Sequence, residues 1–298
     1  MNQQNSLTLL KKPYRQVSAD QFMIAVTKLD ASHEQEVLEF LSHRPLHTVA
    51  MVGFILDNGL VSPLNRGSFY GCRNDQGKLE GVALIGHATL LEAISNRAVE
   101  ALAEIAQTCT TAHMIIGEKE RINHFWDFYA DAGQNMRHAG RELLFELKWP
   151  LEAFEEVPNL RLATFADLEL VVPIHARMAF DESGINPLER DPEGFRRRCA
   201  RRIEQSRTWV WTEGDEVIFK ADVASDAGSV VYLEGVWTNP EQRSRGYGLR
   251  CMSQLARTLL RSTRSICVLV NEKNKKAHIF YQRVGYRLRA IYDTIFLN

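Results

Sequence analysis

The sequence lacks the features that mark several large classes of protein. Its five cysteines, Cys72, Cys109, Cys199, Cys251 and Cys267, are odd in number and never form a Cys-x-x-Cys spacing, which argues against a disulfide framework and against a zinc site. No stretch approaches the ~20 apolar residues that span a bilayer. The opening MNQQNSLTLLKKPYRQ has no apolar core of signal-peptide length. We therefore expect a cytoplasmic protein without a membrane segment and without a metal.

An excess of one charge is also missing, because 36 basic residues face 37 acidic ones and the net charge is -1. The chain as a whole offers no polycationic surface for nonspecific nucleic-acid binding, so we do not expect a nucleic-acid partner. One basic segment stands out, FRRRCARRIEQSR. Such a run is typical of a solvated helix face, and the alternative is a site for an anionic substrate or RNA. Its arginines are Arg196, Arg197, Arg198, Arg201, Arg202 and Arg207.

The length and composition favour two folded domains. A chain of 298 residues with 45% apolar and 24% charged side chains is typical of globular proteins and long enough for about two domains. The region from Pro150 to Pro158 reads as a linker, and the elements on either side follow much the same order, an internal repeat of architecture rather than of residues. We predict an extension over 1–20, a first domain over 21–150 and a second over 158–298.

The second half contains a strand, a loop, a helix and a strand in succession. Residues 230–237 are β-branched and aromatic, and Pro240 ends that strand. Apolar spacing predicts a helix over 247–261, followed by a buried strand over 266–270. This order implies a right-handed crossover between parallel strands. The loop from Arg243 to Gly248 would then lie at the amino end of a helix, where anions bind.

The composition of this loop suits a phosphate. Gly246 and Gly248 remove Cβ atoms that would keep a pyrophosphate from the backbone N–H groups. Arg243 and Arg245 add cationic donors. Taken alone, however, an R-x-x-G-x-G loop is also found as a surface turn.

A second motif downstream decides between these interpretations. Asn274, Ala277, Tyr281, Gly285 and Tyr286 match N-x-x-A-x-x-x-Y-x-x-x-G-[FY], and with the loop they make the segment resemble the core of the GNAT superfamily of acyl-CoA N-acyltransferases. The resemblance covers about 160–298, and the first half is similar only in its order of elements. It implies an α/β (α+β) fold of two tandem GNAT-like domains. Each would be a mixed, mostly antiparallel sheet flanked by helices, with a splayed parallel strand pair at the CoA site.

The resemblance also implies acetyl-CoA as cosubstrate and assigns residues to it. The pyrophosphate would lie on the loop residues Arg243, Ser244, Arg245, Gly246, Tyr247 and Gly248. The pantetheine arm would pair with the main chain of Val236, Trp237 and Thr238. Asn271 and Asn274 would be placed to reach the arm or its bound water.

For catalysis, the resemblance assigns Tyr281 as the proton donor to the thiolate, and the alternative is a core tyrosine on an apolar helix face. The backbone N–H near Val236 is the expected oxyanion donor. Strand alternation places Glu234 on the same face as Val236, so we nominate it as the base. Alternatively, Glu234 faces solvent and the proton leaves through water. Asp181 and Glu182 are the next candidates, unless DESGINP is only a helix-ending turn.

The first half lacks the CoA loop. After its strand the chain reads LEAISNRAVEAL, with no glycine pair and no arginine-flanked turn. It keeps Tyr129 and Gly133 but not the asparagine. We expect a degenerate domain that shapes the pocket, closes over the substrate or dimerises. His87, His113 and His124 are scattered, and we expect them to be packed or exposed rather than catalytic.

These inferences lead to one functional hypothesis and several alternatives. The hypothesis is acetyl transfer to a primary amine, on a small molecule or a peptide, in a ternary complex in the second domain. Alternatives are a transferase resembling mycothiol synthase, an aminoacyl-tRNA-dependent peptidoglycan transferase, and a noncatalytic acyl-CoA sensor or interaction module. The sequence does not identify the amine. An exposed final strand is a candidate for pairing across a homodimer.

Overall fold

The computed structural model describes residues 24–150 and 155–298, so the predicted extension over 1–20 and part of the linker lie outside the described residues. The strands of the first half are β1 (Ala25–Lys28), β2 (Gly67–Arg73), β3 (Leu79–Gly86), β4 (Ala88–Ala93), β5 (Met114–Glu118) and β6 (Met136–Leu147). Its helices are α1 (Glu34–Ser42), α2 (Pro45–Asn58), α3 (Asn96–Ala106) and α4 (Lys119–Tyr129).

The second half repeats this order in part. Its strands are β7 (Arg161–Leu162), β8 (Thr208–Glu213), β9 (Glu216–Asp226), β10 (Val230–Thr238), β11 (Ser265–Asn271) and β12 (Arg287–Leu297). Its helices are α5 (Leu168–Ser183), α6 (Pro187–Arg190), α7 (Pro192–Glu204), α8 (Tyr247–Leu259) and α9 (Lys275–Val284). The predicted strand, helix and strand around the R-x-x-G-x-G loop are confirmed as β10, α8 and β11. The helix ends at Leu259 rather than at the predicted Arg261.

All the described strands form a single 12-stranded sheet in the order β1-β2-β3-β4-β5-β12-β6-β11-β10-β9-β8-β7. Most neighbours are antiparallel, and the parallel pairs are β4–β5 and β10–β11. The predicted mixed, mostly antiparallel architecture is confirmed. Each parallel pair is joined by a helical crossover, α3 in the first half and α8 in the second.

The two halves exchange their final strands at the centre of this sheet. β12 lies between β5 and β6, and β6 in turn pairs with β11. The expectation of an exposed final strand is therefore wrong. The physical reason is apolar burial, since Ile295 and Leu297 pack into the core of the first half. With both edges paired, β12 has no free edge to offer a second copy.

Polar contacts between β6 and β12 fix the register of the exchanged strands. Arg141 on β6 forms a bidentate ion pair with Asp293 on β12. Its Nε donates to Oδ1 at 2.7 Å and its Nη2 donates to Oδ2 at 3.1 Å. The hydroxyl of Thr294 donates to Glu142 at 2.9 Å. Shifting the strands by one residue would turn these side chains to the opposite face. The contacts therefore specify one register.

Helix α2 also joins the halves, because it packs on β9 of the second half. A Cβ at Gly53 would lie 2.6 Å from the Cβ of Ser225, so this close approach requires glycine. At the end of α2, Asp57 pairs with Arg207 at 2.5 Å and Asn58 accepts from Arg201 at 2.8 Å. The first half thus forms a wall over the face of the second-half sheet.

The predicted apolar face of α8 is confirmed as core. Leu249, Met252, Leu255 and Ala256 are buried against β10 and β11, with Tyr281 and Val284 of α9 in the same cluster. Burial of these apolar side chains is the main stabilisation of α8 and α9. No helix in the described residues combines the length and apolar character that crossing a membrane requires.

Candidate functional site

The parallel strands β10 and β11 separate part-way along their length. They pair only from Val230–Leu233 on one strand to Ser265–Val268 on the other, although β10 continues to Thr238 and β11 to Asn271. Beyond the paired part, β10 stays attached to β9. The predicted splay is therefore present. The edge of residues 236–238 that faces β11 is not paired with that strand.

A β-bulge in β10 lies where the strands separate. The register with β9 shifts between Glu234 and Trp237, and Gly235 has φ +60°, a conformation that favours glycine. A Cβ at Gly235 would collide with the carboxylate of Asp222 and lie 2.8 Å from Nζ of Lys220. The bulge thus requires glycine on two counts.

A buried ion pair supports this bulge from β9. Lys220 and Asp222 are both 0% exposed and form a salt bridge. Lys220 also donates to the carbonyl oxygen of Gly235 at 3.0 Å, and Thr208 donates its hydroxyl to Asp222 at 2.8 Å. In a trans peptide, the C=O and the following N–H point in opposite directions. Lys220 therefore turns the N–H of Val236 away from itself.

The charges near Asp222 set its ionisation. Burial raises the pKa of its carboxyl, but Lys220 and His175 outweigh burial and hold that pKa well below its usual range. His175 lies 3.4 Å from Asp222, yet burial and Lys220 lower the pKa of its ring. At neutral pH the group is a lysine–aspartate pair beside a neutral histidine.

The loop from Arg243 to Gly248 has the backbone of an anion cradle. Ser244 and Gly246 both have positive φ, +63° and +83°. Arg250 is the first residue of α8 whose amide reaches a backbone acceptor, the oxygen of Gly246 at 3.1 Å. Within the described chain, the amides of 244–249 have no such acceptor. These N–H groups without a backbone acceptor lie at the amino end of a helix, where anions bind.

The two glycines of the loop are required for different reasons. A Cβ at Gly246 would meet nothing of the protein within 4 Å. Glycine is therefore required at this position for its positive φ and because a side chain would fill the open space beside the amides. A Cβ at Gly248 would lie 2.8 Å from Oγ1 of Thr238, so the need is for close packing of α8 on the end of β10. Arg243 braces the same strand end, because its Nε donates to the oxygen of Thr238 at 3.1 Å.

Tyr281 lies in the core of the second half, beneath the splay. It is 8% exposed and contacts the rings of Phe280 and Tyr286 edge-on, at 5.2 and 5.3 Å between centroids. Burial raises the pKa of its hydroxyl, so the group holds its proton at neutral pH. Both interpretations of the residue, core tyrosine and proton donor, are compatible with this position.

The asparagines at the end of β11 have structural contacts. Oδ1 of Asn271 accepts from the amide of Lys273 at 2.9 Å, and Oδ1 of Asn274 accepts from the amide of Ala277 at 3.1 Å. Asn274 is thereby the N-cap of α9, a role that asparagine fills well. Only their side-chain nitrogens stay open for a ligand.

Glu234 lies on the face of β10 opposite to Val236, not on the same face as we expected from alternation. Glu234 and Tyr232 line a cavity, whereas Val236 packs against the second-half core together with Leu233. The reason is the bulge at Gly235, which adds a residue and reverses the alternation. Glu234 also forms an ion pair with Arg202 of α7.

The cavity that Glu234 lines has a volume of about 1000 Å³ and lies between the two halves. Its walls come from strands β4, β5, β6, β10, β11 and β12, from helices α2, α4, α5, α6 and α7, and from the loops that adjoin them. It includes Cys267 and Leu269 on β11 as well as Tyr232 on β10, so it reaches the region where these strands separate. The first half therefore shapes the pocket, which is one of the roles we expected for it.

Glu182 is another carboxylate that lines this cavity. Burial, together with the charges of Glu142 and Glu234, raises its pKa to about 7. Asp181, the other acidic candidate, is exposed and pairs with Arg177 at 3.1 Å. Of the two, only Glu182 lines the cavity. Glu142 was not found from the sequence, since it lies in the first half on a strand whose exchange has no sequence signal.

The arginine-rich segment forms α7 and the turn after it, and most of its guanidinium groups have partners in the protein. The pairs are Arg196–Glu169, Arg198–Asp191, Arg201–Asn58, Arg202–Glu234 and Arg207–Asp57. These contacts follow the structural interpretation, in which the arginines tie α7 to its neighbours. Within the described residues, no cluster of histidine, cysteine or carboxylate groups has the arrangement of a metal site.

Comparisons with known proteins agree with this geometry. Residues 223–295 match the family model described as FR47-like protein. An acetyltransferase of the GNAT family from Colwellia psychrerythraea has a TM-score of 0.55 at 10% identity, covering 92% of this chain and 100% of that chain. No curated protein matches the sequence.

Two further solved structures match over similar lengths. A Drosophila protein has a TM-score of 0.66 at 13% identity, over 92% of this chain and 99% of that chain. A tandem GNAT protein from the clavulanic acid biosynthesis pathway has a TM-score of 0.56 at 12% identity, over 92% and 98%. At these identities the likeness shows the fold. The predicted fold of two tandem GNAT-like domains is confirmed.

Proposed function

We propose that this protein is an N-acyltransferase that transfers an acetyl group from acetyl-CoA to a primary amine, by direct attack in a ternary complex. The observation that carries the proposal is the splay between β10 and β11. The loop 243–248 follows the end of β10 at this splay. The cavity between the halves lies on the face of β10 that carries Tyr232 and Glu234. A donor and an acceptor entering from these two directions would meet at the bulge.

The residues of the loop fit a CoA pyrophosphate. The amides of 244–249 converge on open space, and Gly246 leaves that space free. Arg243 and Arg245 are exposed beside it and can add charge-assisted hydrogen bonds. The open edge of Val236, Trp237 and Thr238 can accept the pantetheine arm as an added strand.

In this reaction the amine nitrogen attacks the thioester carbonyl carbon, and the carbon–sulfur bond breaks. The N–H of Val236, oriented by Lys220 through Gly235, is placed to stabilise the oxyanion. Tyr281 would give its proton to the departing sulfur. A carboxylate in the cavity would accept the proton that the amine loses.

Glu182 is better suited than Glu234 to accept this proton. A base works best when its pKa lies near the working pH, and the pKa of Glu182 is raised to about 7. The carboxylate of Glu234 is already engaged in an ion pair with Arg202, whereas Glu182 has no such partner among the described residues. We assign Glu182 as the base and Glu234 as the second carboxylate facing the amine.

The proposal is tested by measuring free thiol release from acetyl-CoA across a panel of small-molecule and peptide amines. Turnover with at least one amine is expected. Tyr281→Phe should lower kcat at least tenfold and leave the Kd for acetyl-CoA unchanged, because the lost proton is needed only in the transition state. Tyr129→Phe, at the corresponding place in the first half, is the matched control and should keep kcat.

One outcome would replace the enzyme with an acyl-CoA sensor. This outcome is tight binding of acetyl-CoA with no turnover of any amine. Equal kcat values for the wild type and Tyr281→Phe would instead keep the enzyme and reject the proton donor.

A further inference from the structure

One wall of the cavity carries a group of cationic and imidazole side chains that the proposed chemistry does not use. It consists of Arg66, His87, His113 and Arg190, which we call the basic wall. No sequence pattern connects these residues, and we expected the histidines to be packed or exposed rather than catalytic. In the structure the rings of His87 and His113 lie 4.4 Å apart between centroids.

Backbone hydrogen bonds hold the basic wall together. The amide of His87 donates to the oxygen of Arg66 at 2.8 Å, and the amide of His113 donates to the oxygen of His87 at 2.9 Å. Arg66 has φ +54°, an uncommon conformation for a residue other than glycine. Three chain segments are thus fixed side by side, so their side chains reach the cavity from a rigid base.

The charges of the basic wall are not balanced by the protein. In the described part of the chain, neither Arg66 nor Arg190 has a carboxylate within salt-bridge distance. The nearby Asp191 is already paired with Arg198 at 3.2 Å. Nη2 of Arg190 lies 3.1 Å from Nε2 of His113, within hydrogen-bond distance.

The positive charges of the basic wall lie close enough together to lower the pKa values of its residues. Burial, Arg66 and His113 lower the pKa of His87 to about 4. Burial and the neighbouring Arg198 lower the pKa of Arg66. At neutral pH the His87 ring is therefore an uncharged hydrogen-bonding group, placed beside the guanidinium groups of Arg66 and Arg190. Cationic and neutral donors around a concave space are the composition of an anion site.

Carboxylates line the same cavity. Glu142 and Glu182 both have raised pKa values because of burial, and Glu182 also because of Glu142 and Glu234. Neither Glu142 nor Glu182 forms a salt bridge with a cation among the described residues. The cavity therefore places two carboxylates near the splay and two guanidinium groups on the basic wall.

We propose that the acceptor is an amine that also carries an anionic group, a carboxylate or a phosphate, and that the basic wall binds this group. The inference rests on the proposed function, because the amine end is assigned to the carboxylates near the splay. Binding at both ends would orient the amine toward the thioester and would select against neutral amines, which leave the guanidinium groups unpaired.

The first test compares matched acceptors. An amino acid, the same compound with its carboxylate amidated, and an amine of similar length with a phosphate are each assayed with the wild type and with Arg190→Gln. In the wild type, kcat/KM should be at least tenfold higher for an anionic acceptor than for the amide. Arg190→Gln should remove most of this difference by raising KM. The two anionic acceptors distinguish a carboxylate site from a phosphate site.

Arg177→Gln is the matched control, because Arg177 is exposed, pairs with Asp181 on the outer surface of α5 and does not line the cavity. It should keep the preference for the anionic acceptor. Equal kcat/KM values for the acid and the amide in the wild type would overturn the inference. A loss in Arg190→Gln of the same size for both acceptors would also overturn it, since it would indicate a general structural defect.

A second test does not depend on turnover. Glutarate and inorganic phosphate are titrated into the wild type and Arg190→Gln by calorimetry. Binding of either probe that is lost in the variant supports the basic wall even if no amine is acetylated, and then only the proposed function fails. If amines are acetylated but neither probe binds and no acceptor preference exists, the function stands and the basic wall is rejected.

Discussion

The buried pair beneath the bulge gives the most specific prediction about stability. In Lys220→Met the ammonium is removed while Asp222 stays at 0% exposure, with only the Thr208 hydroxyl and His175 close to its oxygens. Removing one partner of a buried ion pair costs about 3–5 kcal/mol. We expect a loss of this size in the free energy of unfolding at pH 8, measured by urea denaturation.

The loss should be smaller at low pH. Burial and Lys220 both lower the pKa of His175, so the loss of Lys220 makes this pKa less depressed. A histidine with a lowered folded-state pKa destabilises the protein as the pH falls below its unfolded pKa, and this penalty is smaller in the variant than in the wild type. The deficit of Lys220→Met should therefore shrink between pH 8 and pH 5.5.

A double-mutant cycle isolates the pair. Replacing both charges by neutral groups leaves no unpaired ion, so Lys220→Met with Asp222→Asn should cost less than the sum of the single variants by about 2 kcal/mol or more. Additive costs, or a loss below about 1 kcal/mol for Lys220→Met, would refute the reasoning. In Lys220→Met the carbonyl oxygen of Gly235 loses the hydrogen bond from Lys220, so the N–H of Val236 is no longer held in its orientation. We therefore expect a larger fall in kcat than in the affinity for acetyl-CoA.

Three other changes test separate parts of the account. Glu182→Gln should remove the rise of kcat/KM with pH that the wild type is expected to show near pH 7, in rate measurements from pH 5.5 to 9; a wild-type profile without this inflection contradicts the base assignment. Gly248→Ala should cost about 1–3 kcal/mol in urea denaturation through the clash with Thr238, and Thr238→Ala should restore part of it; an unchanged midpoint would contradict the close packing. Arg141→Met should cost about 1 kcal/mol, because its pair with Asp293 is partly exposed; a loss above about 3 kcal/mol would mean that this pair alone sets the register.

The local elements of the second half could be predicted because their signals are local. Pro240 ends a β-branched run, and the apolar residues of α8 recur at helical spacing. Each signal depends on neighbours within about one turn or one strand. For the same reason the R-x-x-G-x-G loop could be placed before the structure was known.

The arrangement that depends on distant contacts could not be predicted. The pairing of β12 with β5 has no signal in either strand, since both are ordinary alternating segments. The bulge at Gly235 depends on Lys220 and Asp222, which lie on another strand. It reversed the alternation on which the placement of Glu234 relied. The basic wall was missed because its members are far apart in the sequence.

The central claim is that acetyl-CoA binds at the loop 243–248 of the second half. The most direct measurement is calorimetric titration of acetyl-CoA into the wild type, Gly246→Val and Ser95→Ala, where Ser95 caps α3 at the corresponding place in the first half. We predict saturable 1:1 binding to the wild type, unchanged binding to Ser95→Ala and no detectable binding to Gly246→Val. No binding to the wild type at millimolar acetyl-CoA, or equal binding to Gly246→Val, would contradict the account.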